Sequence, residues 1–88
     1  MINFKNKNIL ITGGSGGIGK ELVKKFVSLG GNVLGTGTNT GKLDLLKKEY
    51  PNILVKRFDM SEHSRIVEFI DNVTLELGGL DILINNAG

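Results

Sequence analysis

The sequence predicts an α/β fold: a doubly wound parallel sheet, of which it supplies the first β-α-β-α-β-α-β portion. Three observations predict it. Short aliphatic and β-branched runs recur four times along the chain. Between them lie three stretches whose apolar residues repeat at helical spacing. Glycine, 13 of the 88 residues, gathers at the joins between the two kinds of segment, where turns and caps need it.

Residues 7–12 read as a buried parallel strand, because Ile9-Leu10-Ile11 is a continuous apolar run with no alternation. A helix follows, with Ile18, Leu22, Val23, Phe26 and Val27 as its apolar face and Gly30-Gly31 as its stop. Residues 32–38 form a second strand that loosens into glycines. Asn39 or Thr40 caps a second helix to about residue 49, with Leu43, Leu45 and Leu46 as its apolar side. Tyr50-Pro51-Asn52 ends it. Residues 53–58 form a third strand. Ser61 reads as the N-cap of a third helix whose stripe is Ile66, Phe69, Ile70, Val73 and Leu77, ended by Gly78-Gly79. Residues 80–84 form the fourth strand and run into Asn85-Asn86-Ala87-Gly88. Strands alternating with helices imply right-handed crossovers and helices on both faces of the sheet. In the order 3-2-1-4 the fourth strand expects a further neighbour on its far side. Residues 1–88 are therefore read as the N-terminal part of a single larger domain.

Composition narrows the function classes. Hydrophobic content of 40% and charged content of 23% are ordinary for a soluble globular chain. A net charge of +2 and nine scattered lysines give no nucleic-acid surface. The absence of cysteine removes disulfides and thiolate metal sites. His63, the single histidine, has no second ligand beside it and reads as a surface residue, so no metal is expected. No apolar run reaches the roughly 20 residues that span a bilayer. The first residues carry no secretory signal pattern. The expectation is a cytoplasmic protein with no membrane partner.

The chemistry is concentrated in Thr12-Gly13-Gly14-Ser15-Gly16-Gly17-Ile18-Gly19, between the first strand and the first helix. A strand, a glycine turn and a helix start in that order make an anion site. The unpaired N–H groups and the dipole of the helix attract negative charge, and glycines let the backbone close on a phosphate. The loop fits more than one pattern. Residues 14–19 satisfy G-x-G-x-x-G, yet the acidic residue expected at the end of the second strand is missing from Gly35-Thr36-Gly37-Thr38-Asn39. Residues 14–20 satisfy most of a P-loop, G-x-x-x-x-G-K, yet Glu21 stands where an NTPase needs a hydroxyl for Mg²⁺.

The third pattern is T-G-x-x-x-G-x-G at Thr12, Gly13, Gly17 and Gly19. Together with Asn85-Asn86-Ala87-Gly88 at the end of the fourth strand, it resembles the short-chain dehydrogenase/reductase family over the whole chain. Val33-Leu34-Gly35-Thr36-Gly37-Thr38 is similar to the second strand of the 3-oxoacyl-acyl-carrier-protein reductases. The glycine loop is also close to that of the sugar-nucleotide epimerases and dehydratases, whose fourth strand usually ends differently.

The resemblance implies a Rossmann fold and a set of cofactor contacts. Gly13, Gly17 and Gly19 would shape the pyrophosphate turn. Ser15, Gly16 and Ile18 would lie along the cofactor. Thr38 matches the position near the adenosine ribose. With no acid there a 2′-phosphate is not repelled, so the implied cofactor is NADP, with NAD as the alternative. Gly16 stands where NADP-dependent members often carry a basic residue, and Lys42 is the nearest cation downstream. Thr38 has a second reading as a helix cap. Asp59 would accept a hydrogen bond from the adenine amino group and Met60 would add backbone contacts; Asp59 equally suits a turn. Asn86 and Ala87 would border the riboses, with Asn85 structural. The family's Tyr, Lys, Ser and Asn of catalysis lie beyond Asn85-Asn86-Ala87-Gly88, so no catalytic residue is expected in these 88. Tyr50, the single tyrosine, begins no Tyr-x-x-x-Lys. The implied activity of the full-length protein is hydride transfer between a nicotinamide and a carbonyl or secondary alcohol. Its partners would be a small-molecule or acyl-thioester substrate and, in a homo-oligomer, further copies of itself. A non-catalytic, redox-sensing NADP-binding protein on the same fold is the competing reading.

Overall fold

In the computed structural model, which describes residues 2–87, β1 (Asn8–Thr12) is the strand on which both flanking strands build. Ile9, Leu10 and Ile11 are all fully buried, which only a central strand covered on both faces allows. The chain continues through α1 (Gly17–Ser28), β2 (Asn32–Gly37), α2 (Thr40–Glu49), β3 (Leu54–Arg57), a 3-10 turn (His63–Arg65), α3 (Ile66–Leu77) and β4 (Ile82–Asn85). The four strands are parallel in the order β3-β2-β1-β4, which is the doubly wound arrangement the sequence predicts.

Strand alternation distributes the core. Ile9, Ile11 and Val33 face one side and pack with Val23 of α1, Leu46 of α2 and Ile53. Leu10 and Leu34 face the other and pack with Phe58, Phe69 and Val73 under α3. The rings of Phe58 and Phe69 stack with centroids 4.1 Å apart. Tyr50 packs half-buried against the first cluster, and His63 is exposed.

A polar clasp fixes the start of β1. Asn8 donates through Nδ2 to the carbonyls of Leu77 and Gly79, each at 3.1 Å, and its N–H donates to Asp81 Oδ2 at 2.8 Å. This ties the end of α3 and the entry of β4 to the first strand. Gly78 closes α3 in the left-handed conformation expected of a cap glycine.

Several expectations need correction. Each strand is one or two residues shorter than the span read from sequence: Lys7 and Thr38 lie exposed outside β1 and β2, Ile53 and Phe58 are core residues just outside β3, and β4 begins only at Ile82 while taking in Asn85. Ile18 and Leu45 lie on their helices but are 74% and 66% exposed, so each helix buries a narrower stripe than its sequence offers. Ser61 does not cap α3. Its N–H and hydroxyl both bond Asp59 Oδ1, at 2.9 and 2.7 Å. That turn consumes the residue, and α3 begins only at Ile66 after the 3-10 turn. Among the described residues no helix is long and apolar enough to cross a membrane.

Leu10 fills the space between the sheet and α3, so Leu10→Ala is expected to lower the unfolding free energy by about 2–5 kcal/mol. Urea unfolding measures this, and a loss under 1 kcal/mol would show that the α3 face is not a packed core.

Candidate functional site

The carboxyl ends of β1, β2, β3 and β4 open into one cleft of about 490 Å³. This is where an open parallel sheet places its ligand.

The glycine turn forms one wall. Gly13 leaves β1 with φ +66°, and a Cβ there would meet Asn86 Nδ2 at 3.1 Å and the Ala87 backbone at 3.3 Å. Gly19 is buried in the first turn of α1, and a Cβ on it would collide with the Gly13 carbonyl oxygen and come within 2.7 Å of its carbon. The turn thus folds onto the start of α1 with no room for a side chain. Gly16, at the N-cap, offers no side-chain oxygen to the helix, and the first turn of α1 holds no acidic residue. The N–H groups there remain available to an anion.

Thr12 holds that wall to β4. Its fully buried hydroxyl shares its proton between Ile84 O and Asn85 Oδ1, each at 3.3 Å, and accepts the N–H of Asn86 at 3.0 Å and of Ala87 at 3.1 Å. Asn86 then donates through Nδ2 to Gly13 O at 3.2 Å. The end of β4 and the glycine turn are therefore one hydrogen-bonded unit.

The opposite wall comes from β2 and β3. Thr38 is exposed at the end of β2. Asn39, and not Thr38, caps α2, accepting the Lys42 N–H at 3.0 Å. The capping role considered for Thr38 is thereby excluded, and Thr38 lines the cleft together with the exposed Lys42. Asp59 makes the turn with Ser61, whose backbone and hydroxyl bonds hold its carboxyl below the usual carboxylate range despite some desolvation, with Arg57 adding a smaller pull. The turn engages one carboxylate oxygen, Oδ1.

Of the residues singled out in the sequence, Gly13, Ser15, Gly16, Thr38, Asp59, Met60, Asn86 and Ala87 line this cleft together. Gly17, Ile18 and Gly19 do not line it. Gly19 is buried within the turn, a Cβ on Gly17 would meet only open space, and Ile18 is exposed on the helix start. The cleft also takes in Thr36, Gly37, Asn39, Lys42, Phe58 and Ser61. Of these only Lys42 drew a ligand reading from sequence. Thr36 carried a usable signal, since a threonine stands where the strand period after Leu34 calls for an apolar residue.

The P-loop reading has little geometric support. Lys20 lies outside the cleft lining, its ammonium bound to Glu49 at 3.0 Å. That hydrogen bond and charge raise the Lys20 pKa above its ordinary value. Among the described residues no group of three or more His, Asp or Glu could hold a metal.

Comparison with known proteins follows the same line. Residues 7–88 match the family model described as short chain dehydrogenase. The chain is similar to the uncharacterized oxidoreductase DltE of Bacillus subtilis, 39% identical over 87 residues, which covers 99% of this chain and 34% of that protein. It is 32% identical over 81 residues to the NADP-dependent 3-hydroxy acid dehydrogenase YdfG of Escherichia coli, covering 91% of this chain and 33% of the relative. A crystal structure of a short chain dehydrogenase from Bacillus anthracis superposes with a TM-score of 0.84 at 38% identity, over 96% of this chain and 35% of that one. The chain spans about a third of the length of these relatives.

Two outcomes are expected. Thr12→Val leaves the Asn86 and Ala87 N–H groups without their acceptor and lowers the unfolding free energy by about 1–3 kcal/mol; an unchanged urea midpoint would mean the hydroxyl is not the tie. Asp59 has a folded-state pKa below its unfolded value of about 3.9, so its contribution to stability is complete above about pH 4 and fades as pH falls through the folded value. Ser61→Ala removes the hydroxyl bond and keeps the backbone one, so it should move the Asp59 titration part of the way up toward the ordinary carboxylate value, read by carboxyl NMR, and no movement would remove the Ser61 hydroxyl as a cause.

Proposed function

The chain belongs to the short-chain dehydrogenase family, and from that premise we propose that the protein is an NADP-dependent oxidoreductase that moves a hydride between a nicotinamide and a carbonyl or secondary alcohol. These residues form its cofactor-binding part. The observation that carries the reading is the glycine turn locked to the end of β4 through Thr12 and Asn86, which leaves the N-terminus of α1 free for a pyrophosphate.

The residues present fit such a dinucleotide. The crowded Gly13 and Gly19 positions keep side chains out of the turn, and with the Gly16 N–H taken by the Gly13 carbonyl, the backbone N–H groups of Gly17 and Ile18 at the start of α1 would meet the phosphates. Asp59 would accept from the adenine amino group through the carboxylate oxygen its turn leaves over. Its depressed pKa keeps it an acceptor throughout the neutral range. Met60, Asn86 and Ala87 would border the adenosine. When bound, the nicotinamide supplies or takes the hydride; the chain's own part is to hold and orient it.

NADP over NAD follows from what lies beside Thr38. No carboxylate of the cleft stands at the end of β2, and Lys42 belongs to the same lining. A 2′-phosphate there meets a cation and a hydroxyl instead of the acid that reads a ribose 2′-hydroxyl. The relative YdfG is an NADP-dependent 3-hydroxy acid dehydrogenase, which supports the cofactor and adds 3-oxo acids to the 3-oxoacyl thioesters that the second-strand resemblance makes the first substrates to try.

The test is a titration of the complete protein with NADPH and NADH, followed by turnover on a 3-oxoacyl thioester. Tighter binding of NADPH is expected, and Thr38→Asp should cost NADPH about tenfold in affinity while sparing NADH, as a carboxylate beside a phosphate requires. Equal loss for both nucleotides would overturn the 2′-phosphate reading. Binding without turnover of any carbonyl substrate would favour the non-catalytic, redox-sensing reading.

A further inference from the structure

Two threonines occupy equivalent places at the carboxyl ends of neighbouring strands. The register that pairs Ile11 with Gly35 brings Thr12 and Thr36 side by side, and both are fully buried. The Thr12 hydroxyl is saturated, with its proton shared between two acceptors and two N–H groups donated to it. It has nothing left to offer its neighbour. The Thr36 hydroxyl is the single buried side-chain polar atom without a hydrogen-bond partner among the described residues. Such an orphan in a folded interior calls for a reason.

Its position supplies one. Thr36 lines the cleft. Strand alternation puts its side chain on the Leu34 face, toward Phe58 and Met60. The glycine turn lies elsewhere, touching β2 through Gly14, which donates to the Thr36 carbonyl at 2.7 Å. The hydroxyl thus has the saturated Thr12 network on one side and the apolar, aromatic Phe58 and Met60 on the other, with no cation beside it, a setting unsuited to a phosphate but suited to a flat, neutral heterocycle.

We infer that the Thr36 hydroxyl is a contact for the adenine base, reading a ring nitrogen from the floor of the cleft while Asp59 reads the amino group at its rim. The inference rests on the dinucleotide reading and deepens it. It makes Thr36 a determinant of base affinity shared by NADPH and NADH, in contrast to Thr38, which separates them.

The test compares Thr36→Val and Thr36→Ser in the complete protein. Valine keeps the branched shape and removes the hydroxyl; serine keeps the hydroxyl. With valine, NADPH and NADH are both expected to bind about five- to tenfold more weakly, the worth of one neutral hydrogen bond. The nucleotide-free unfolding temperature should hold or rise, since no native bond is lost. Serine should retain affinity within about twofold of wild type. Unchanged affinity in the valine variant overturns the inference. So does a lowered unfolding temperature without loss of affinity, which would make the hydroxyl a structural group. Wild-type protein that binds neither nucleotide overturns the cofactor reading and this inference together, whereas wild-type binding with an unaffected valine variant overturns this inference alone.

Discussion

The hydroxyl of Thr12 is the point on which the site depends. It lies fully buried at the end of the central strand, and four groups from the end of β4 converge on it. Without it the Asn86 side chain would not be held over the Gly13 carbonyl, and the turn would lose its outer wall. A serine in its place could keep the bonds but not the methyl that fills the sheet face. β1 is clasped at its other end by Asn8, so the strand that carries the glycine turn is anchored at both ends to β4 and its approach.

The cleft divides its tasks by electrostatics. One wall offers backbone N–H groups at a helix start with no acid in its first turn, where the proposed reading would seat a doubly charged diphosphate. The rim of β2 offers a lysine and a hydroxyl. The end of β3 offers a carboxylate already committed through one oxygen to a turn, which fixes its direction. The floor is apolar apart from one hydroxyl. Each region is rigid because it extends a strand of one buried sheet, so separation between the regions is set by strand spacing and not by loop conformation.

Much of this was readable from the residues. The alternation of strand and helix, the order of the strands and most of the cleft lining follow from periodicity, from glycine placement and from the family resemblance. What escaped depends on partners that a linear pattern does not reveal. Ser61 looks like a helix cap until Asp59, two residues earlier, is seen to take both its donors. Ile18 and Leu45 fit the apolar face of a helix by spacing, yet lie beyond the edge of the buried stripe. Thr36 breaks the apolar period of its strand, but that its hydroxyl lacks a partner shows only once its neighbour Thr12 is found to have no hydrogen-bonding capacity left for it.

The Thr12 network also has a consequence in time. Its partners lie 72 to 75 residues further along the chain. During synthesis the glycine turn emerges early, flanked by helix and strand that can form locally, but its outer wall does not exist until the residues of β4 have left the ribosome. The order in which the parts are made is thus the reverse of the order in which they depend on one another: the glycine turn is translated before β4 yet becomes rigid only after it, and on the proposed reading a nucleotide would find these contacts complete only once the fourth strand has docked against the first.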